Sequence, residues 1–390
     1  MTVIKDLFLA VAAIPAIYYL LVLYSSERFF RVTKRKRDPE GAFTPPISCL
    51  KPIRGLDPDA YENYASFCGQ DYPDYEIVFC VDEDDPALPV IERLRRDFPD
   101  RQMRVLYGSG RNSMNDKVGR LVRLVREAQH ELLVITDGDV RVGPDYLRAM
   151  AAPFSDSKVG GATCLYKSTR ETTLVQELQS IGMISDFFAG TIAAWMLDGI
   201  KFTFGQTIVT TRSNIARFGG YEAIEHFPGD DLRVGRLLAG LGLEVKLLPY
   251  VVETVADFQS FADLFYKRVR WMTVMRFMRP WGHLGLMFTL GLPWVLLALI
   301  ISPSAAVALA YLAAYVAFRI GITWLIGGWG MKQSGLWKKI LLFPIWDALA
   351  FIIWLVSFGR KTIRWRGIDY AIHQGVLAPV ASSCAQNVPN

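Results

Sequence analysis

The stretch Glu131-Leu-Leu-Val-Ile-Thr-Asp-Gly-Asp-Val-Arg-Val142 decides how the rest of the chain is read. Leu132 to Ile135 is a short aliphatic run without alternation, the pattern of a strand covered on both faces of a sheet. It runs straight into Asp137-Gly138-Asp139. Two carboxylates flanking a glycine at a strand end can hold a hard divalent cation through oxygen ligands and leave positions open for a phosphate. The plainer reading is an acidic turn, because Asp and Gly are ordinary turn residues. A D-x-D alone does not choose between them.

Upstream, Tyr75-Glu-Ile-Val-Phe-Cys-Val81 reads as a second buried strand, ending at Asp82. Ile47 to Leu50 is a shorter strand that breaks at Lys51-Pro52, and Met103 to Tyr107 is another. Tyr61 to Cys68, Pro89 to Phe98 and Lys117 to Ala128 carry helical patterns. This alternation predicts an α/β domain from Ile47 to about Leu248, with a mostly parallel sheet and helices on both faces. Ligands of such sheets bind beyond the carboxyl ends of the strands. Asp82 and Asp137 both fall at such ends, so they are expected to face one site.

The chain has 390 residues, enough for one sizeable domain with extra elements or for two domains. A hydrophobic content of 52% is high for a soluble protein, and the apolar residues are unevenly spread. The net charge is +5, but much of the basic excess sits between Arg28 and Arg37, which suits an anionic membrane surface or a topology signal better than nucleic acid. The five cysteines form no metal-like pair, in keeping with a reducing compartment.

Leu7 to Tyr24 is long enough to cross a bilayer and shows no cleavage site, so an uncleaved anchor is expected. Arg28, Arg31, Lys34, Arg35, Lys36 and Arg37 follow it and place that side in the cytoplasm. Phe261 to Met278 mixes Arg268, Arg270 and Arg276 with large aromatics, as an interfacial helix does. Leu284 to Ile301, Ala305 to Ile326 and Ile340 to Phe358 are three further candidate spans, the last carrying Asp347. Three crossings would put Arg360, Lys361, Arg364 and Arg366 outside, so either one segment is re-entrant or the signal after the first helix dominates.

The expected plan is an anchor (1–27), a basic linker (28–46), a cytoplasmic catalytic domain (47–257), an interfacial helix (258–283), spans (284–359) and a tail (360–390). The greasy helical stretch Thr173 to Ile200 reads either as a core helix or as the wall of a lipid-accepting groove.

Four more places carry candidate chemistry. Asp82 opens an acidic turn that is either solvated or able to accept hydrogen bonds from a nucleotide. Asn115 precedes a helix and reads as its cap or as a donor-side group, while Lys117 could meet a diphosphate as a point charge. Asp230-Asp231 starts an amphipathic helix, and the pair reads either as a cap or as a general base whose adjacent carboxylates raise each other's pKa. In Lys267-Arg-Val-Arg-Trp271, Arg270 and Trp271 are either interfacial anchors or, respectively, a partner for a leaving diphosphate and an acceptor-site wall.

Taken in order, these pieces resemble the ceramide glucosyltransferase family of membrane-bound inverting glycosyltransferases. Cys49-Leu-Lys-Pro52, Gly55-Leu-Asp-Pro58, Asp71-Tyr-Pro-Asp-Tyr-Glu76, Asp85-Pro-Ala87, Asn115-x-Lys117, Arg141-Val142, Gly205 and Phe218-Gly-Gly220 carry the match alongside the aspartates. The resemblance implies an α/β GT-A-type (Rossmann-like) fold, a UDP-sugar donor and a membrane lipid acceptor. By position it makes Asp82 the nucleotide-side aspartate, Asp137 and Asp139 the pair that seats Mg2+ or Mn2+, and Asp231 the base. Arg270 and Trp271 match the closing motif, whose first position is Lys267 in place of Gln or Arg.

The implied reaction moves glucose or N-acetylglucosamine to a lipid hydroxyl at the cytoplasmic face of a membrane, with a bacterial inner membrane expected. The acceptor is ceramide or, as in a similar bacterial branch, a hopanoid, and the shared motifs do not separate the two. Processive polysaccharide synthases are a third relative, disfavoured by Lys267 and the modest number of spans. A lipid- or nucleotide-binding protein without activity would need neither a metal pair nor a base.

Overall fold

A computed structural model describes residues 2–35, 43–108, 115–227, 229–255, 258–365, 368–373 and 376–379. Lys36 and Arg37 of the basic run, the rest of the linker as far as 42, Arg366 and the tail beyond 379 lie outside the described residues, as does Cys384. The chain divides into two compact units. One comprises 33–170 and 198–256; the other comprises 1–32, 171–197 and 257–390. The stretch 171–197, kept by the sequence reading within the 47–257 domain, therefore groups with the apolar helices.

The first unit is built on an eight-stranded sheet: β1 (Ile47–Pro52), β2 (Tyr75–Val81), β3 (Met103–Tyr107), β4 (Leu132–Ile135), β5 (Val140–Arg141), β6 (Val159–Thr169), β7 (Ile208–Thr211) and β8 (Glu244–Val255). Their spatial order is β3-β2-β1-β4-β7-β6-β8-β5. β1, β2 and β4 are buried along nearly their whole length, as their unbroken aliphatic runs require, whereas the edge strand β3 is only partly covered.

The β3-β2-β1-β4 half is parallel as expected. Beyond β4 the sheet is mixed: β7 runs antiparallel to both β4 and β6, β6 pairs parallel with β8, and β8 pairs antiparallel with β5. Helices Ala60–Cys68, Leu88–Asp97, Asp116–Glu127 and Asp230–Gly240 accompany it. Glu76, buried within β2, is satisfied there: it accepts from Ser48 Oγ at 2.6 Å and from the Gln129 backbone N–H at 2.7 Å, and pairs with Arg104 at 2.7 Å. A buried carboxylate is tolerable only when so paired.

Register puts the site at one edge. Leu50 of β1 stands opposite Ile135 of β4, and Pro52 opposite Cys80 of β2. Asp137 and Asp82 each lie two residues past those partners, so their turns emerge on either side of the end of β1. Cys49, Cys68, Cys80 and Cys164 are free and buried.

Among the described residues four helices are long and apolar enough to cross a membrane: Ile4–Arg31, Leu174–Asp198, Ala305–Gly330 and Leu336–Gly359. The segment expected as one span from Leu284 to Ile301 is broken into Pro280–Phe288 and Gly291–Ile301, bent by 42°. Pro293 supplies a reason, since its ring would clash with the carbonyl of Thr289 if the helix continued. Thr173 caps the Leu174 helix in a capping box with Gln176.

Arg319, on the Ala305–Thr323 helix, is buried and pairs with Asp347, which in turn accepts from Tyr315 Oη at 2.6 Å. Arg319 also pairs with Asp186 at 3.0 Å and donates to the Ser185 backbone carbonyl at 2.9 Å. Asp347 thus faces protein, the solution an acidic residue within a span requires. Helix Phe261–Met278 exposes Phe261, Tyr266 and Trp271. Arg268 of that helix departs from the interfacial expectation: it is turned inward, donating to Gln179 Oε1 at 2.7 Å and lying over the Trp271 and Trp346 rings.

Candidate active site

Three aspartates and a lysine of the first unit gather at the end of the sheet. The turn after β4 presents Asp137, and helix Asp116–Glu127 brings Lys117 to it: Nζ lies 2.6 Å from Asp137 Oδ1 and 3.5 Å from Asp230 Oδ2. Burial opposes the charge on Lys117, but Asp137 and Asp230 outweigh it and hold the ammonium well above its ordinary range. Gly138 has no room for a side chain, since a Cβ there would lie 2.7 Å from Asp57 Oδ2 and 3.2 Å from Ile53 Cδ1. Lys51, fully buried on β1, donates to the Asp137 carbonyl at 3.2 Å and sits 3.5 Å from the centre of the Phe67 ring. Burial pushes its ammonium down to about 7.

Asp139 is raised to about 7, first by burial and then by the neighbouring carboxylates of Asp137 and Asp57. Such crowding is what a bound cation relieves. Among the described residues no three His, Cys, Asp or Glu side chains form a metal-holding group. The observation that fits a divalent cation here is the crowding of Asp139 by Asp137 and Asp57.

Asp231 stands in the first turn of helix Asp230–Gly240, whose cap is Gly229 at φ 72°, so neither aspartate is the cap. Its Oδ1 accepts from the Leu232 backbone N–H at 2.7 Å and its Oδ2 from the Gly205 N–H at 3.1 Å. Burial, then Asp230, raises the Asp231 carboxyl to about 6, against the opposing pull of Lys117.

Asp82, at the end of β2, meets Arg120 Nη2 at 2.5 Å. Arg120 is buried and also holds Asp116 at 3.1 Å, and Arg54 reaches the same Asp116 oxygen at 3.3 Å. Asn115 caps its helix, accepting from Val118 N–H at 3.4 Å. Arg270 and Trp271 lie on helix Phe261–Met278 in the other unit. The structure therefore joins Asp137, Lys117, Asp230 and Asp231 in one cluster, and Asp82 with Arg120 in a second network.

Sequence reasoning missed Arg120, Lys51 and Asp57. Arg120 follows Lys117 by three residues and so shares its helix face, a signal that was present. Lys51 and Asp57 stand in two stretches that carry the family match, Cys49-Leu-Lys-Pro52 and Gly55-Leu-Asp-Pro58, but neither was given a role there.

A mixed sheet that delivers aspartates past its strand ends is the frame of a GT-A fold. The mannosyltransferase PcManGT from Pyrobaculum calidifontis, solved in complex with GDP-Man and Mn2+, superposes with a TM-score of 0.58 over 91% of this chain and 98% of that one, at 17% identity. The chain belongs to glycosyl transferase family 21, whose pattern matches residues 7–378. It is 24% identical over 280 residues to ceramide glucosyltransferase 3 of Caenorhabditis elegans, covering 70% of this chain and 59% of that one. Over 141 residues it is 34% identical to the ceramide glucosyltransferase of Komagataella phaffii, covering 34% and 28%. The chain spans less than two thirds of the length of these curated relatives.

Proposed function

We propose that the chain is a membrane glycosyltransferase that moves a hexose from a UDP-sugar to a lipid hydroxyl with inversion, ceramide being the acceptor class. The observation that carries this reading is the convergence of Asp137, Lys117 and Asp231 on the peptide of Gly205, which supports a donor-side pair beside a candidate base. Membership of family 21 and similarity to ceramide glucosyltransferases support the substrate classes. The basic residues that follow the first apolar helix support a site on the cytoplasmic side.

In this reading Asp82 accepts hydrogen bonds from the nucleoside, with Asn115 beside the donor, and Lys117 turns from Asp137 toward the diphosphate. Asp231 accepts the proton of the lipid hydroxyl as its oxygen bonds to the anomeric carbon, while the bond from that carbon to the diphosphate oxygen breaks. UDP leaves with the bonding pair, and one displacement converts an α-linked donor into a β-glycoside. Lys117 offsets the charge that grows on the leaving diphosphate. A divalent cation on Asp139 and Asp137 would supply further positive charge at that diphosphate.

The test is to incubate membranes containing the full chain with labelled UDP-glucose and ceramide and to identify the lipid product by mass spectrometry. A β-hexosylceramide is expected. Absence of any glycolipid from UDP-glucose or UDP-N-acetylglucosamine would overturn the reading, and an N-acetylhexosaminyl-hopanoid would replace the acceptor and donor named here.

A further inference from the structure

Gly205 has no assigned role beyond its place in a matching motif, yet it is the contact point of the cluster. Its backbone N–H holds Asp231 Oδ2 at 3.1 Å. On its side-chain face, a Cβ would lie 2.9 Å from Asp137 Oδ2 and 3.2 Å from Lys117 Nζ. The same peptide therefore bears on the donor-side pair and on the base.

The loop that carries it is anchored at both ends. Thr203 Oγ1 donates to the Asp231 carbonyl at 2.8 Å, and the Thr203 N–H points to the same oxygen at 3.4 Å. The Phe204 N–H donates to Thr163 Oγ1 at 3.0 Å, and Thr163 Oγ1 donates to the Thr207 carbonyl at 2.6 Å, which ties the loop to β6. Gly205 does not have a positive φ, so its backbone does not call for glycine. What calls for it is the space taken by Asp137 and Lys117.

We infer that Gly205 is a positioning residue: its N–H orients the Asp231 carboxylate, and its missing side chain lets Asp137 and Lys117 share the same site. A mere packing glycine would affect folding and nothing else. The inference rests on the proposed transfer reaction, and the two can fail separately.

The experiment compares full-length wild type, Gly205→Ala and Thr203→Val. It reads equilibrium binding of UDP with and without Mn2+, kcat and donor KM for lipid glycosylation, and the thermal midpoint. Gly205→Ala is expected to weaken UDP binding about tenfold and to lower kcat, because the added methyl group displaces Asp137 or Lys117. Thr203→Val keeps the volume but removes the hydroxyl that anchors Asp231, so kcat falls while UDP affinity and donor KM hold.

Wild-type UDP binding and kcat in Gly205→Ala would overturn the inference. So would a Thr203→Val variant with unchanged kcat, which reads the base half even where Gly205→Ala lowers the thermal midpoint. If wild type makes no glycolipid, the transfer reading falls, and unaltered UDP affinity in Gly205→Ala would then remove the donor half as well.

Discussion

Lys117 Nζ lies 2.6 Å from Asp137 Oδ1 and 3.5 Å from an oxygen of Asp230. One ammonium thus joins the turn after β4 to the residue beside the candidate base, in the space where a diphosphate would bring its own negative charge. Substituting Lys117→Met is expected to lower kcat/KM for the UDP-sugar by about a hundredfold, the scale of losing one preorganised charge. Steady-state kinetics on the purified full chain checks this. A variant within about threefold of wild type would remove Lys117 from donor recognition.

Asp231 should set the acidic limb of transfer. Burial, then Asp230, pushes its carboxyl up to about 6 from the ordinary 3.8, and only the ionised form can take the acceptor's proton. Transfer is therefore expected to be near maximal above pH 7 and to fall about tenfold per unit below pH 6. The stability effect has the opposite sign. A raised carboxyl pKa means that the folded state holds the proton more tightly, so this group's contribution to stability declines as pH rises from about 4 to about 6. Asp231→Asn should bind UDP as wild type does while transfer falls by about a thousandfold, and UDP titration beside a transfer assay separates the two.

Chelation tests the pair at Asp137 and Asp139. With EDTA, UDP binding and transfer should both drop, and Mn2+ or Mg2+ should restore them. Asp139→Asn should blunt that restoration, because it removes the carboxylate whose crowding by Asp137 and Asp57 a cation would relieve. Full activity in rigorously metal-free protein would exclude the role.

The buried pair of Arg319 and Asp347 predicts an asymmetric response. Arg319→Leu should destabilise the protein in detergent by about 3–5 kcal/mol, because it strands a carboxylate among apolar helices. Arg319→Leu with Asp347→Leu should regain part of that loss. Thermal midpoints of the single and double variants decide it; equal midpoints would mean that the ion pair is not what holds these helices.

Much of the parallel half was legible because β1, β2 and β4 are runs of buried apolar residues whose ends coincide with Asp82 and Asp137. The mixed half was not. β6 begins Val159-Gly-Gly, and β8 carries Glu244, Lys246, Pro249 and Glu253, so neither announces itself as a buried strand. The pairing of β6 with β7 and with β8 is set by contacts distant in sequence. The aspartates of the site stood out for their positions at element ends. Arg120 did not, because an arginine on a charged amphipathic helix looks solvated until Asp82 and Asp116 are seen to enclose it. Nor could the break at Thr289 be separated from a continuous span by hydropathy alone.

Arg319 precedes Asp347 in the chain, and that order matters during synthesis. Spans enter a bilayer as they emerge, so in a membrane the candidate span with the guanidinium would be in place when the helix with the carboxylate arrives. Asp347 alone would penalise entry of that helix by about 3 kcal/mol on insertion scales. A waiting cation would offset that penalty, and the helix of Asp347 would be admitted by its neighbour as well as by its own greasiness.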